Sequence, residues 1–164
     1  VSWLNDSTFH DAPGIPNFPA LESLTLTKCH GVTANGLAQD LFNPMCSGRL
    51  RTLILKDCGS IPVPSLHIIL QAAVNLKTLE YFATVSASLP LDPIPPMTSY
   101  TLHKLNFEVT SSSANQVYPP SASCYQYLAN SLIANCLPAL RQLYVRDPEF
   151  PEVLTLAPPI RPFS

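Results

Sequence analysis

The sequence predicts an α/β fold built from stacked strand-and-helix units, and three observations carry that prediction. The pattern Leu-x-x-Leu-x-Leu-x-x-Cys is written twice, as LESLTLTKC at residues 21–29 and as LRTLILKDC at residues 50–58. Looser copies follow in LKTLEYF, LHKLNFEV and LRQLYV, whose first leucines are Leu76, Leu102 and Leu140. Between copies run segments such as PSLHIILQAA and YQYLANSLIANC, which carry apolar residues at helical spacing, Leu66 with Leu70 and Leu128 with Leu132 among them.

Each copy reads first as a strand. Within it the Leu-x-Leu pair keeps the two-residue period that sends both side chains to one face. One such strand cannot hide that face, but neighbouring copies paired side by side bury a continuous apolar ladder. Successive first leucines lie 29, 26, 26 and 38 residues apart, and the first three spacings fall in or near the window of leucine-rich repeats. The expected architecture is therefore a leucine-rich-repeat solenoid, a short curved parallel sheet of about five strands with helices outside. Thr33, just before Ala34, and the Pro64-Ser65 pair mark plausible starts for the first two helices.

Proline breaks the pattern. The chain has 18 prolines, and SLPLDPIPPMTS after the third strand reads as an extended connection in place of a helix. After the fourth strand, SSSANQVYPPSAS reads as an irregular insertion of about a dozen residues that accounts for the long last spacing, and Cys124, the next residue, is placed with that proline-rich insertion. Residues 1–17 are expected to form an N-terminal cap or degenerate repeat, 18–147 about five repeats, and 148–164 a C-terminal cap or tail. All 164 residues then make a single domain.

Composition narrows the function. Hydrophobic residues make up 46% and charged residues 12%, which argues for a folded chain. A net charge of −2 without a basic run argues against nucleic acid, and no apolar stretch reaches the length of a membrane span. Five cysteines without a CxxC pair fit an intracellular, reducing compartment better than a disulfide framework. Cys29 and Cys58 occupy equivalent repeat positions and read as small apolar plugs beneath the ladder. Cys46 and Cys136 each precede the next first leucine by four residues and read as structural too. The histidines lack metal-ligand spacing, and no GxSxG, HExxH or phosphate-loop pattern occurs. No catalytic residue, metal or cofactor is expected.

The first two units resemble the cysteine-containing leucine-rich repeat, in which LxxLxLxxC is followed by a branched apolar residue with Thr and then by GLxxL. Val32-Thr33 and Gly36-Leu37 fill those places. In the third and fourth units Thr84 and Thr110 stand where the cysteine would be. That repeat type is found chiefly in F-box proteins, and the proline-rich insertions look similar to fungal members. The resemblance implies a non-enzymatic substrate receptor of a cullin-based ubiquitin ligase. Its partners would be a protein target and, through an F-box outside these residues, the ligase adaptor. Intracellular placement, cytoplasmic or nuclear, goes with it. The rival readings are a leucine-rich scaffold or signalling adaptor unrelated to ubiquitin, and a secreted protein, which would need a glycan at Asn5 or disulfides.

What the pattern leaves for binding is the face opposite the leucines. By alternation the candidate contact residues are Thr25 and Lys28 in the first unit and Ile54, Lys56 and Asp57 in the second. Glu80 and Phe82 follow in the third, Lys104, Asn106 and Glu108 in the fourth, and Tyr144 and Arg146 in the fifth. Ile54, Phe82 and Tyr144 are apolar or aromatic amid charges of both signs, a mixture suited to anchors and a polar rim. Phe82 is expected to be exposed and is the first residue to test.

Overall fold

The structure is a computed structural model that describes residues 21–41, 49–90, 93–112 and 119–146, the side chains of Asp40 and Leu41 excepted. The expectations for the two caps, Asn5, Cys46 and most of the insertion after the fourth strand lie outside those residues.

Among the described residues five strands form one sheet in chain order, and every neighbouring pair is parallel. They are β1 (Ser23–Thr27), β2 (Thr52–Lys56), β3 (Thr78–Val85), β4 (Lys104–Ser111) and β5 (Gln142–Arg146). Because parallel neighbours need a crossover, each of the first four strands is followed by a connection to the next. After β1 comes α1 (Ala34–Gly36), which runs on into a π-helical stretch at Leu37–Leu41. After β2 a 3-10 turn at Val63–Ser65 leads into α2 (Leu66–Ala72). The longest helix among the described residues, α3 (Pro120–Ile133), follows β4.

The register sets the leucines over one another. Leu24, Leu53, Leu79, Leu105 and Leu143 are successive partners, as are Leu26, Leu55, Tyr81, Phe107 and Val145. Leu53, Leu55, Leu79, Leu105 and Phe107 are fully buried, each contributing about 1.5–3 kcal/mol by leaving water. Aromatics fill the third and fourth places of the second row. Tyr81 stacks on Phe107 at 5.7 Å, and Tyr125 of α3 meets Phe107 edge-on at 5.7 Å.

The first two units end their strands differently from the next two. At Lys28 and Asp57 the backbone turns left-handed, with φ of 54° and 51°. The turn drops Cys29 and Cys58 into the core, where their thiols lie 3.5 Å from the carbonyls of Thr27 and Leu26 respectively. The equivalent positions in the third and fourth units are Ala83 and Val109, and a β-branched valine strongly disfavours that conformation. Both strands accordingly continue to eight residues, and Thr84 and Thr110 stay in the ladder as partners, their hydroxyls 3.1 Å apart.

Two expectations are corrected here. Cys124 does not sit in a proline-rich loop: it is buried in the second turn of α3. Pro119 and Pro120 open that helix rather than prevent it, because the first helical positions need no N–H donor. The connection between β3 and β4 has no helix among its described residues, as expected. Its backbone is held instead by the unit that follows. Leu89 N–H donates to Ser123 Oγ at 2.9 Å, Met97 N–H to Ser131 Oγ at 3.1 Å, and Ser99 N–H to the Cys136 carbonyl at 3.0 Å. The Tyr127 hydroxyl closes the set on the Pro95 carbonyl at 2.6 Å.

Candidate functional site

The side of the sheet opposite the core carries three rows of side chains in register. The middle row is Thr25, Ile54, Glu80, Asn106 and Tyr144, and the row toward the strand exits is Thr27, Lys56, Phe82, Glu108 and Arg146. The row toward the strand entries is Ser23, Thr52, Thr78, Lys104 and Gln142. Ten of the twelve expected contact residues therefore share one face. Lys28 and Asp57 do not: they are the left-handed turn residues just past β1 and β2, at the exit edge of the sheet.

Cations and rings organise the face. Lys56 Nζ sits 5.4 Å from the centre of the Phe82 ring, and Lys104 Nζ sits 5.6 Å from the centre of Tyr144. Both are within reach of a cation–π attraction of about 0.5–1 kcal/mol at exposed sites. Lys104 also approaches Glu80 Oε1 at 3.5 Å. Such a solvent-reached pair is worth little for stability, but it fixes where the ammonium lies. Phe82, Lys104, Asn106, Glu108, Tyr144 and Arg146 border a shallow depression of about 350 Å³.

Phe82 departs from expectation. It is half-buried rather than exposed, because Lys56 from the neighbouring strand covers its ring. Tyr144, 40% exposed, is the more open aromatic on the face. Ile54 is half-buried. Other exposed apolar side chains, Tyr100 and Ile133, lie away from the strands, and nothing in the leucine pattern pointed to them.

A second concavity was not foreseen. Where β2 has turned away at Asp57 and β3 continues, a groove of about 860 Å³ opens beside Lys28, His30, Asp57, Pro62 and residues 83–90. The signal for it was in the sequence, since Thr84 in place of a cysteine marks the unit that fails to turn.

Among the described residues, no group of three or more His, Cys, Asp or Glu could hold a metal ion. Cys29, Cys58, Cys124 and Cys136 are thiols rather than disulfides. Burial pushes the Cys58 thiol up, against the opposing pull of the Cys29 backbone N–H, and pushes Cys124 up to about 11. Burial likewise raises the Tyr127 hydroxyl to about 12. Groups held neutral in this way are poor nucleophiles. Among the described residues, no helix is long and apolar enough to cross a membrane. Comparison with protein-family models, curated proteins and solved structures finds no match to this chain.

Proposed function

We propose that the chain is a leucine-rich-repeat solenoid whose polar sheet face captures a segment of a protein target, as the recognition region of an F-box ubiquitin ligase. The observation that carries the reading is the register. Five copies of one sequence motif pair in chain order, so every unit presents its variable positions side by side on one surface. Repeat stacks of this kind expose extended binding faces. Tyr144 and Phe82, flanked by Lys56, Lys104, Glu108 and Arg146, supply aromatic anchors within a charged rim.

On this reading the chain makes no bonds itself. It holds a target near the subunits that transfer ubiquitin, and its contribution is proximity. The buried thiols support a reducing compartment, the cytoplasm or nucleus.

The test uses the full gene product, tagged and recovered from cells as wild type and as Phe82→Ala/Tyr144→Ala. The ligase adaptor is expected to co-purify with both forms. The target is expected with the wild type alone, because losing two anchors weakens binding by about 2 kcal/mol or more. A target that persists in the variant removes the face from consideration. Recovery of a target without any adaptor replaces the ligase reading with that of a scaffold or signalling adaptor.

A further inference from the structure

The second position of each repeat, which follows the first leucine, is Glu22, Arg51, Lys77, His103 and Arg141 in turn. In sequence these residues are scattered across 120 positions and form no basic run. The fold gathers them. The carbonyl of each of the first four accepts two N–H groups from the next unit. Arg51 and Thr52 donate to Glu22, Lys77 and Thr78 to Arg51, His103 and Lys104 to Lys77, and Arg141 and Gln142 to His103, all at 2.8–3.0 Å. The five residues are thus pinned as one row along the strand-entry edge of the sheet, one rung apart, or about 4.8 Å.

That row carries Arg51, Lys77 and Arg141, and its one acid, Glu22, stands at the β1 end. Arg51, Lys77 and Arg141 are exposed. Among the described residues Lys77 and Arg141 have no ion-pair partner, and Arg51 spends one N–H on the Asn75 carbonyl at 3.2 Å. The adjoining outward row, Thr52, Thr78, Lys104 and Gln142, adds hydrogen-bond donors and no acid.

We infer that this edge is a docking surface for an acidic helical segment of a protein partner. The match is one of charge and of spacing. From Arg51 to Arg141 the row spans three rung intervals, about 14 Å. Carboxylates at i, i+3, i+7 and i+10 of a helix cover about 15 Å at 1.5 Å per residue. Alternate residues of an extended strand would step by about 6.7 Å and run out of register. Duplex phosphates commonly need about 6–10 cationic contacts, more than this row offers. The edge adjoins the sheet face proposed above and shares Lys104 with it, while Phe82 and Tyr144 take no part in it.

The probe is a fluorescein-labelled, alanine-rich helical peptide with glutamate at i, i+3, i+7 and i+10, followed by anisotropy against the full chain in about 0.05 M salt. Binding is expected to weaken as salt rises, because the charges are exposed. Arg51→Gln/Lys77→Gln/Arg141→Gln should bind about tenfold or more weakly. Lys28→Gln/Lys56→Gln/Arg146→Gln, which removes the same charge from the exit edge, should stay within about threefold of wild type. If circular dichroism shows the first variant unfolded, Lys77→Gln/Arg141→Gln carries the test with an expected loss of about threefold or more. Equal losses in the two triple variants would mean that only net charge matters and overturn the inference. So would a poly-dT oligonucleotide that binds tighter than the peptide, or a wild type that binds neither.

Discussion

Asp57 and Lys28 adopt φ of 51° and 54°, a region that costs an ordinary side chain about 1–2 kcal/mol. Each turn is worth that cost because it carries the following cysteine under the ladder and ends the strand. Asp57→Val should therefore lower the unfolding free energy by about 1–3 kcal/mol in urea titrations, while Asp57→Gly should change it by under about 1 kcal/mol. A well-tolerated valine would show that the turn is not left-handed. The thiols make a second prediction. With Cys58 raised and Cys124 at about 11, against an ordinary thiol value of 9.0, the folded state holds its protons longer than the unfolded state. Their contribution is present in full below pH 9.0 and is lost as pH climbs toward about 11. Urea midpoints should fall across that window, and Cys124→Ala should flatten the fall. At this scale the sequence was partly legible. Two-residue alternation placed Thr25, Ile54, Glu80, Asn106 and Tyr144 on one face. It could not show that Lys28 and Asp57 turn left-handed, since lysine carries no signal for that region. Nor could it show that Lys56, one strand away in space but 26 residues away in sequence, covers Phe82.

Helix α3 does two jobs, of which its own amphipathicity revealed only the first. It packs Cys124, Tyr127 and Leu128 against the sheet, and it supplies Ser123, Tyr127 and Ser131 to the helix-free connection before β4. Prolines in that connection prevent an internal hydrogen-bond ladder, so its N–H groups must find partners elsewhere. Ser131 is fully buried, accepting from Met97 N–H and donating to the Tyr127 carbonyl at 3.0 Å. Ser131→Ala should strand the Met97 N–H and cost about 1–3 kcal/mol, read as a lowered denaturation midpoint with unchanged helical content. A midpoint equal to wild type would mean that water replaces the hydroxyl. The extended connection could be read from its prolines. The start of α3 could not, because Pro119-Pro120 looks the same whether it ends a loop or opens a helix.

Over the whole molecule, the first two motifs were enough to foresee parallel strands in chain order, since a leucine triplet that recurs at near-constant spacing has one economical way to bury itself. The looser copies fell into the same register because each keeps the first two leucines of the pattern, Leu76 and Leu79, Leu102 and Leu105, and Leu140 and Leu143, while Tyr81, Phe107 and Val145 occupy the third leucine position. Invisible in one dimension was the row of Arg51, Lys77, His103 and Arg141, which exists only once the strands are paired. Burial differs along the ladder, and stability should follow it. Leu79, fully buried in the central strand, should cost about 2–5 kcal/mol as Leu79→Ala, whereas the half-buried Leu24 should cost less as Leu24→Ala. The most direct measurement of the shared register is methyl NOE spectroscopy on leucine-labelled protein. Cross-peaks should run in order from Leu24 to Leu53, Leu79, Leu105 and Leu143, each residue touching only its neighbours in that series. A cross-peak from Leu79 to Leu143, or a break anywhere along the row, would contradict the parallel stack on which the proposed binding face depends.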